Sequence, residues 1–90
     1  MSGSEGVYDI RIVRSAEREM RALPAEVFRK ASEAMHRLAE EPRPHGSKKL
    51  KARTDYRLRI GSYRILYVID DQARSVTVMA VRHRKDAYRR

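Results

Sequence analysis

The 90-residue chain is long enough for one domain with a modest core and too short for two that each bury their own. Its hydrophobic fraction of 41% lies a little under the usual globular range and its charged fraction of 37% well above the usual value of about 25%, so much of it is surface. The absence of cysteine excludes a disulfide staple or a thiolate metal site, and a net charge of +9 points to a polyanionic partner.

In chain order, residues 1–6 (MSGSEG) read as a flexible lead-in without the charged and apolar regions of a signal peptide, and residues 7–90 as a single domain. No apolar run approaches the roughly 18 residues of a membrane span, so a cytoplasmic setting with no membrane partner is expected. Tyr8, Ile10 and Ile12 alternate with Asp9 and Arg11, the period of a half-buried strand. Ser15 then offers a helix N-cap, with Glu17 and Glu19 placed to favour the helix dipole, and Ala16, Met20 and Leu23 share a face. Pro24 starts a second helix, whose apolar residues Val27, Phe28, Ala31, Ala34, Met35 and Leu38 keep helical spacing to about Glu40, before Pro42 and Pro44 stop it. The joint apolar stripe of this helical hairpin needs a sheet to cover.

From Met1 to Glu40 seven Lys and Arg balance seven Asp and Glu, whereas from Glu41 to Arg90 fourteen face five, so the whole excess of positive charge lies in the second half. That half opens with an exposed loop of Pro, Gly and Lys up to Arg53. The segment YRLRIGSYRILYVI follows as a β-hairpin, with Gly61-Ser62 as a two-residue type II′ turn. A second turn over Asp70 to Arg74 leads to a strand from Ser75 to Val81, in which Val76, Val78 and Ala80 alternate with Thr77, Met79 and Val81. The expected fold is α+β: an N-terminal strand and a two-helix hairpin packed on an antiparallel-rich four-stranded sheet, with a short polar tail.

A two-residue turn at Gly61-Ser62 sets Ile60 opposite Tyr63, Arg59 opposite Arg64, Leu58 opposite Ile65 and Arg57 opposite Leu66. Tyr56, Leu58, Ile60, Tyr63, Ile65, Tyr67 and Ile69 then share the core face, while Arg57, Arg59 and Arg64 share the other. Like charges directly opposite destabilise a sheet, and an anion bound between them would explain their presence. Beyond the last strand come Arg82, His83, Arg84, Lys85, Asp86 and Tyr88. His83 can exchange a proton near neutrality, whereas arginine stays charged and suits a phosphorane better than it suits base catalysis. His36 and His45 have no partner that spacing identifies and read as structural or surface residues. Asp70 and Asp71 fit ordinary turn chemistry, and no metal or cofactor is expected. A site of arginines, His83 and Tyr88 suits RNA self-cleavage: a 2′-OH attacks the adjacent phosphorus, guanidinium groups hold the extra charge, and a 2′,3′-cyclic phosphate and a 5′-OH result.

The strand-helix-helix opening with Leu23-Pro24, the Glu40-Glu41-Pro42 and Lys49-Leu50 steps, the hairpin and the ending VRHRKDAYR together resemble the RelE/ParE superfamily of type II toxins, from Tyr8 to Arg90. Similarity to RelE implies a ribosome-dependent endoribonuclease that cuts mRNA in the A site of the small subunit beside 16S rRNA, and a cognate antitoxin that masks the site. Residue by residue, the resemblance sets Arg57 and Arg59 where some members carry phosphate-binding lysines, Arg64 and Arg82 at transition-state arginines, and Tyr88 at a substrate-stacking tyrosine. Lys48, Lys49, Lys51 and Arg53 before the hairpin, with Arg84 and Lys85 after it, are expected to bind the RNA backbone. Because arginine is a poor base, either His83 takes the proton or cleavage proceeds by orientation and charge. A ParE-like toxin that poisons DNA gyrase, or an inactive RNA- or antitoxin-binding relative, are the alternatives.

Overall fold

In the computed structural model, which describes residues 7–49, 55–83 and 85, a five-stranded sheet is covered on one face by two helices. The elements are β1 (Asp9–Ile12), α1 (Arg14–Arg21), α2 (Ala25–Glu40), β2 (Lys48–Lys49), β3 (Asp55–Ile60), β4 (Tyr63–Asp70) and β5 (Ser75–His83). Their order across the sheet is β1-β5-β4-β3-β2, with β1 parallel to β5 and every other pair antiparallel. The expected α+β architecture holds, with one strand more than the alternation predicts. That strand is β2, whose two lysines lie against Arg57 and Tyr56 inside the expected loop. Two residues carry no readable period, and neighbouring Pro44 and Gly46 read as breakers.

The helices form for the expected reason but begin differently. α1 starts at Arg14 with Val13 in the N-cap position and no side-chain cap, so Ser15 lies inside the first turn rather than capping it. Ala16 and Met20 from α1 and Ala31, Met35 and Leu38 from α2 are buried against Ile65, Tyr67, Val76, Val78 and Val81. Each large apolar side chain so enclosed is worth about 1.5–3 kcal/mol. Phe28, on the apolar spacing of α2, stays 43% exposed instead, at the mouth of a groove shared with Ile10, Ile12, Met20 and Met35.

The hairpin follows the predicted register pair for pair, from Ile60 opposite Tyr63 through Arg57 opposite Leu66. Gly61 sits at φ +59°, the left-handed value that the first central position of a type II′ turn requires and that glycine adopts without strain. β5 departs from its predicted alternation. Leu66 lies opposite Ala80 but Tyr67 opposite Val78, so Met79 is an unpaired β-bulge, 42% exposed. Val76 and Val78 face the core as expected, yet beyond the bulge the parity inverts and Val81, not Ala80, joins them.

Candidate active site

The bulge decides where the C-terminal arginine goes. With strict alternation, Arg82 would follow Val76, Val78 and Ala80 under the helices. The extra residue turns it to the opposite face, where it lies directly across from Arg64, which in turn lies across from Arg59. Three arginines from β3, β4 and β5 thus form one row across the helix-free face. Lys48 and Arg57, paired with each other, lie on the same face one step along.

Along this face the environments differ. Arg59 is exposed, Arg57 half-buried and Arg64 only 7% exposed, so Arg64 is a charged group anchored in the sheet rather than a surface decoration. Arg82 donates from Nε to Glu19 Oε2 at 2.8 Å, while Glu19 Oε1 accepts the backbone N–H of Val81 at 2.9 Å. Glu19 was expected to serve the dipole of its own helix. Instead it reaches the outer edge of β5 beyond Val78, where the pairing with β1 ends. A lone Glu in a helix carries no sequence signal for such a contact. A cavity of about 390 Å³ is lined by His45, Gly46, Lys48, Arg57, Leu58 and Arg59, so His45, read from the sequence as a structural or surface residue, borders the basic face.

His83 goes elsewhere. It lies opposite Tyr63, in register with the core face, and meets the Tyr63 ring edge-on at 5.3 Å between centroids. Its Nδ1 accepts the backbone N–H of Lys85 at 3.2 Å. The sheet therefore brings Arg59, Arg64 and Arg82 together and does not bring His83 among them. Lys49, opposite Tyr56, also falls outside the arginine row. Lys51, Arg53, Arg84 and Tyr88 lie outside the described residues.

A second polar cluster occupies the other end of the strands. Asp71 accepts from Tyr8 Oη at 2.6 Å and from Arg43 Nη1 and Nη2 at 3.3 and 2.9 Å. Arg43 Nε donates to Tyr56 Oη at 3.0 Å, and Tyr56 stacks on Tyr67, whose hydroxyl donates to the Pro42 carbonyl at 2.8 Å. Hydrogen bonds from Arg43 and then Tyr8 hold the Asp71 carboxyl below the usual carboxylate range, and the Asp71 acceptor pushes the Tyr8 hydroxyl up. Asp70 behaves as turn chemistry predicts, accepting the Ala73 N–H at 3.0 Å. Asp71 does more than that, tying the β4–β5 turn to β1 and to the segment after α2. Among the described residues, no three His, Asp or Glu side chains gather as a metal site would require.

The family model described as the ParE toxin of the type II toxin-antitoxin system, parDE, matches residues 10–88. Toxin RelG of Mycobacterium tuberculosis is 34% identical over 85 residues, spanning 92% of this chain and 98% of that protein. Among solved structures, the toxin-antitoxin complex RelBE2 of Mycobacterium tuberculosis matches with a TM-score of 0.76 and 31% identity, over 86% of this chain and 98% of that one. The archaeal RelE-RelB complex from Pyrococcus horikoshii shares the fold at a TM-score of 0.80 and 24% identity, over 90% of this chain and 99% of that one. A strand-led helical hairpin on a mostly antiparallel sheet, matched over most of the chain in both sequence and fold, makes this chain a member of the RelE/ParE superfamily of type II toxin-antitoxin toxins.

Proposed function

We propose that the protein is a ribosome-dependent endoribonuclease that cuts mRNA in the A site of the small subunit through attack by the RNA's own 2′-OH. The observation that carries this reading is the row Arg59–Arg64–Arg82, formed across three strands by the turn at Gly61-Ser62 and the bulge at Met79. Opposed guanidinium groups in a sheet cost stability unless an anion joins them, and a scissile phosphate is such an anion. Their fixed positive charge matches the extra negative charge of a phosphorane, so they act by stabilising charge and orienting the phosphate. Lys48, Arg57 and His45 around the adjoining cavity extend this surface along the RNA backbone.

The basic face binds polyanions without regard to sequence, and the ribosome is expected to supply the alignment that in-line attack needs. A cytoplasmic antitoxin is the expected regulator: the solved RelBE2 and RelE-RelB complexes pair such toxins with one. An acidic or backbone-rich segment laid over the arginine row would relieve its repulsion and raise thermal stability by linkage. The matching family model is described as a ParE toxin, which keeps gyrase poisoning as the second reading.

Purified protein is to be incubated with stalled ribosomes carrying a defined mRNA, and the cut ends mapped. Cleavage confined to the A-site codon, with 2′,3′-cyclic phosphate ends and little cutting of naked RNA, is the expected result. Intact mRNA on ribosomes together with inhibited DNA supercoiling would favour the gyrase reading instead.

A further inference from the structure

We infer that Glu19 is a positioning residue for Arg82, holding it by Nε so that its two Nη groups are presented to the substrate phosphate; this rests on the nuclease reading above. The carboxylate is divided between two tasks. Oε1 accepts the Val81 N–H at 2.9 Å, satisfying a strand-edge donor that β1 does not reach. Oε2 accepts Nε of the next residue's guanidinium at 2.8 Å. One rigid anchor on the backbone thereby sets the position of a second bond to a long, flexible side chain.

The chemistry of the contact is selective. A guanidinium has five N–H donors in a planar fork, and Glu19 takes the one on Nε. Among the described residues neither Nη is engaged, and it is these Nη donors that the nuclease reading assigns to phosphate oxygens. A carboxylate gripping both Nη groups would have blocked the fork, as Asp71 does to Arg43 at the other end of the sheet. Glu19 and Arg82 are both partly exposed, at 28% and 41% of the side chain, so the pair is neither sealed in the core nor loose in solvent. Its carboxylate also offsets part of the charge in the arginine row. Without Glu19, Arg82 would sample its rotamers beside two other cations and be displaced from the row by repulsion.

The test compares Glu19→Gln, Arg82→Ala and their combination on stalled ribosomes, in single turnover, with melting curves for each. Glutamine keeps an oxygen for the Val81 N–H but cannot bind Nε as an anion, so the fold is retained while the grip on Arg82 is lost. Glu19→Gln is expected to lower the maximal cleavage rate about 10–100-fold, the scale of a misplaced catalytic group, with the half-saturating ribosome concentration unchanged. Added to Arg82→Ala it should lower the rate no further, because Glu19 acts through Arg82. Arg82→Lys gives a check that leaves Glu19 intact: a single ammonium cannot serve Glu19 and a phosphate fork together, and the rate should fall by a similar factor. If Arg82→Ala is slow while Glu19→Gln or Arg82→Lys cleaves at the parental rate, the Glu19 inference is overturned and the site reading stands. Additive losses from Glu19→Gln and Arg82→Ala would also overturn it, assigning Glu19 a general structural effect. An Arg82→Ala protein at the parental rate, or a parental protein that leaves ribosome-bound mRNA intact, overturns the site reading and this inference together.

Discussion

The two ends of the sheet handle arginine in opposite ways. At one end Arg43 is spent internally: Asp71 grips both Nη groups, Tyr56 takes Nε, and the guanidinium also lies over the Tyr56 ring at 5.4 Å. At the other end Arg59, Arg64 and Arg82 stand side by side, and Glu19 takes a single nitrogen of Arg82, its Nε. The difference separates a cation that braces the fold from cations that, in the nuclease reading proposed above, meet an anion brought from outside. It also shows that the count of arginines says less than which of their nitrogens are engaged.

Challenging the side-chain parity set by the bulge should have the largest effect. Val81→Arg puts a guanidinium in the core whichever way β5 runs: with the bulge kept, position 81 lies beside Val76 and Val78, and with the bulge flattened Arg82 enters in its place. Burying an unpaired guanidinium costs several kcal/mol, a large part of the roughly 5–15 kcal/mol that stabilises a typical domain, and the valine packing is lost with it. The Val81→Arg variant is therefore expected to lose its cooperative thermal transition, measured by circular dichroism. A cooperative melt near the parental temperature would mean that the bulge is not what orients Arg82.

Milder changes keep the fold and test which face carries the chemistry. Arg64→Ala should lower single-turnover cleavage on ribosomes by about 10²–10³-fold, the cost of one preorganised donor to a charged transition state. His83→Ala is expected to lower it by no more than a few-fold, because its register puts it with Tyr63 rather than with the arginines. An isolated proton-transfer role would instead give about 10²-fold or more and a flattened pH profile between roughly 5.5 and 7.5. That outcome would bring His83 back to the site by way of the strand end. His45→Ala, altering a residue that does border the basic cavity, is the matched control.

Much of this architecture was legible because it is written in periods. The hairpin register followed from one two-residue turn and a strict alternation, and it placed Arg59 opposite Arg64 correctly. The helices were readable from apolar spacing, although the start of the first was misplaced because Ser15 is a good cap residue that the chain does not use as one. The rest was hidden for physical reasons. A bulge is one residue inserted into an alternating strand, and Val, Met, Ala and Val in sequence give no sign of which is unpaired. Glu19 and Arg43 find partners across 62 or 63 and 13 or 28 residues, and side-chain bonds of that range have no local pattern. The Asp71 cluster was missed for the same reason, since a turn aspartate has a sufficient local explanation.

The smallest effect concerns the internally paired end, where charge should matter to stability and not to cleavage. Asp71→Asn removes the acceptor shared by Arg43 and Tyr8 and should lower the melting temperature by no more than about 5 °C, as expected for an exposed ion pair, with the cleavage rate of the folded protein unchanged. The pH dependence has a definite sign. The Asp71 carboxyl is held below its unfolded value, so its stabilisation is fully present above the ordinary carboxylate pKa of about 3.9 and fades as pH falls through the lower folded value. The Tyr8 hydroxyl is held above its unfolded value, so its share is fully present below about 10 and fades as pH rises beyond that. The stability difference between parent and Asp71→Asn should therefore be level from about pH 5 to 9 and narrow at both extremes. A difference that instead changes between pH 6 and 8 would mean that a histidine, not this cluster, governs the pH response. Cleavage that falls further than the folded fraction in Asp71→Asn would join the two ends of the sheet into one site.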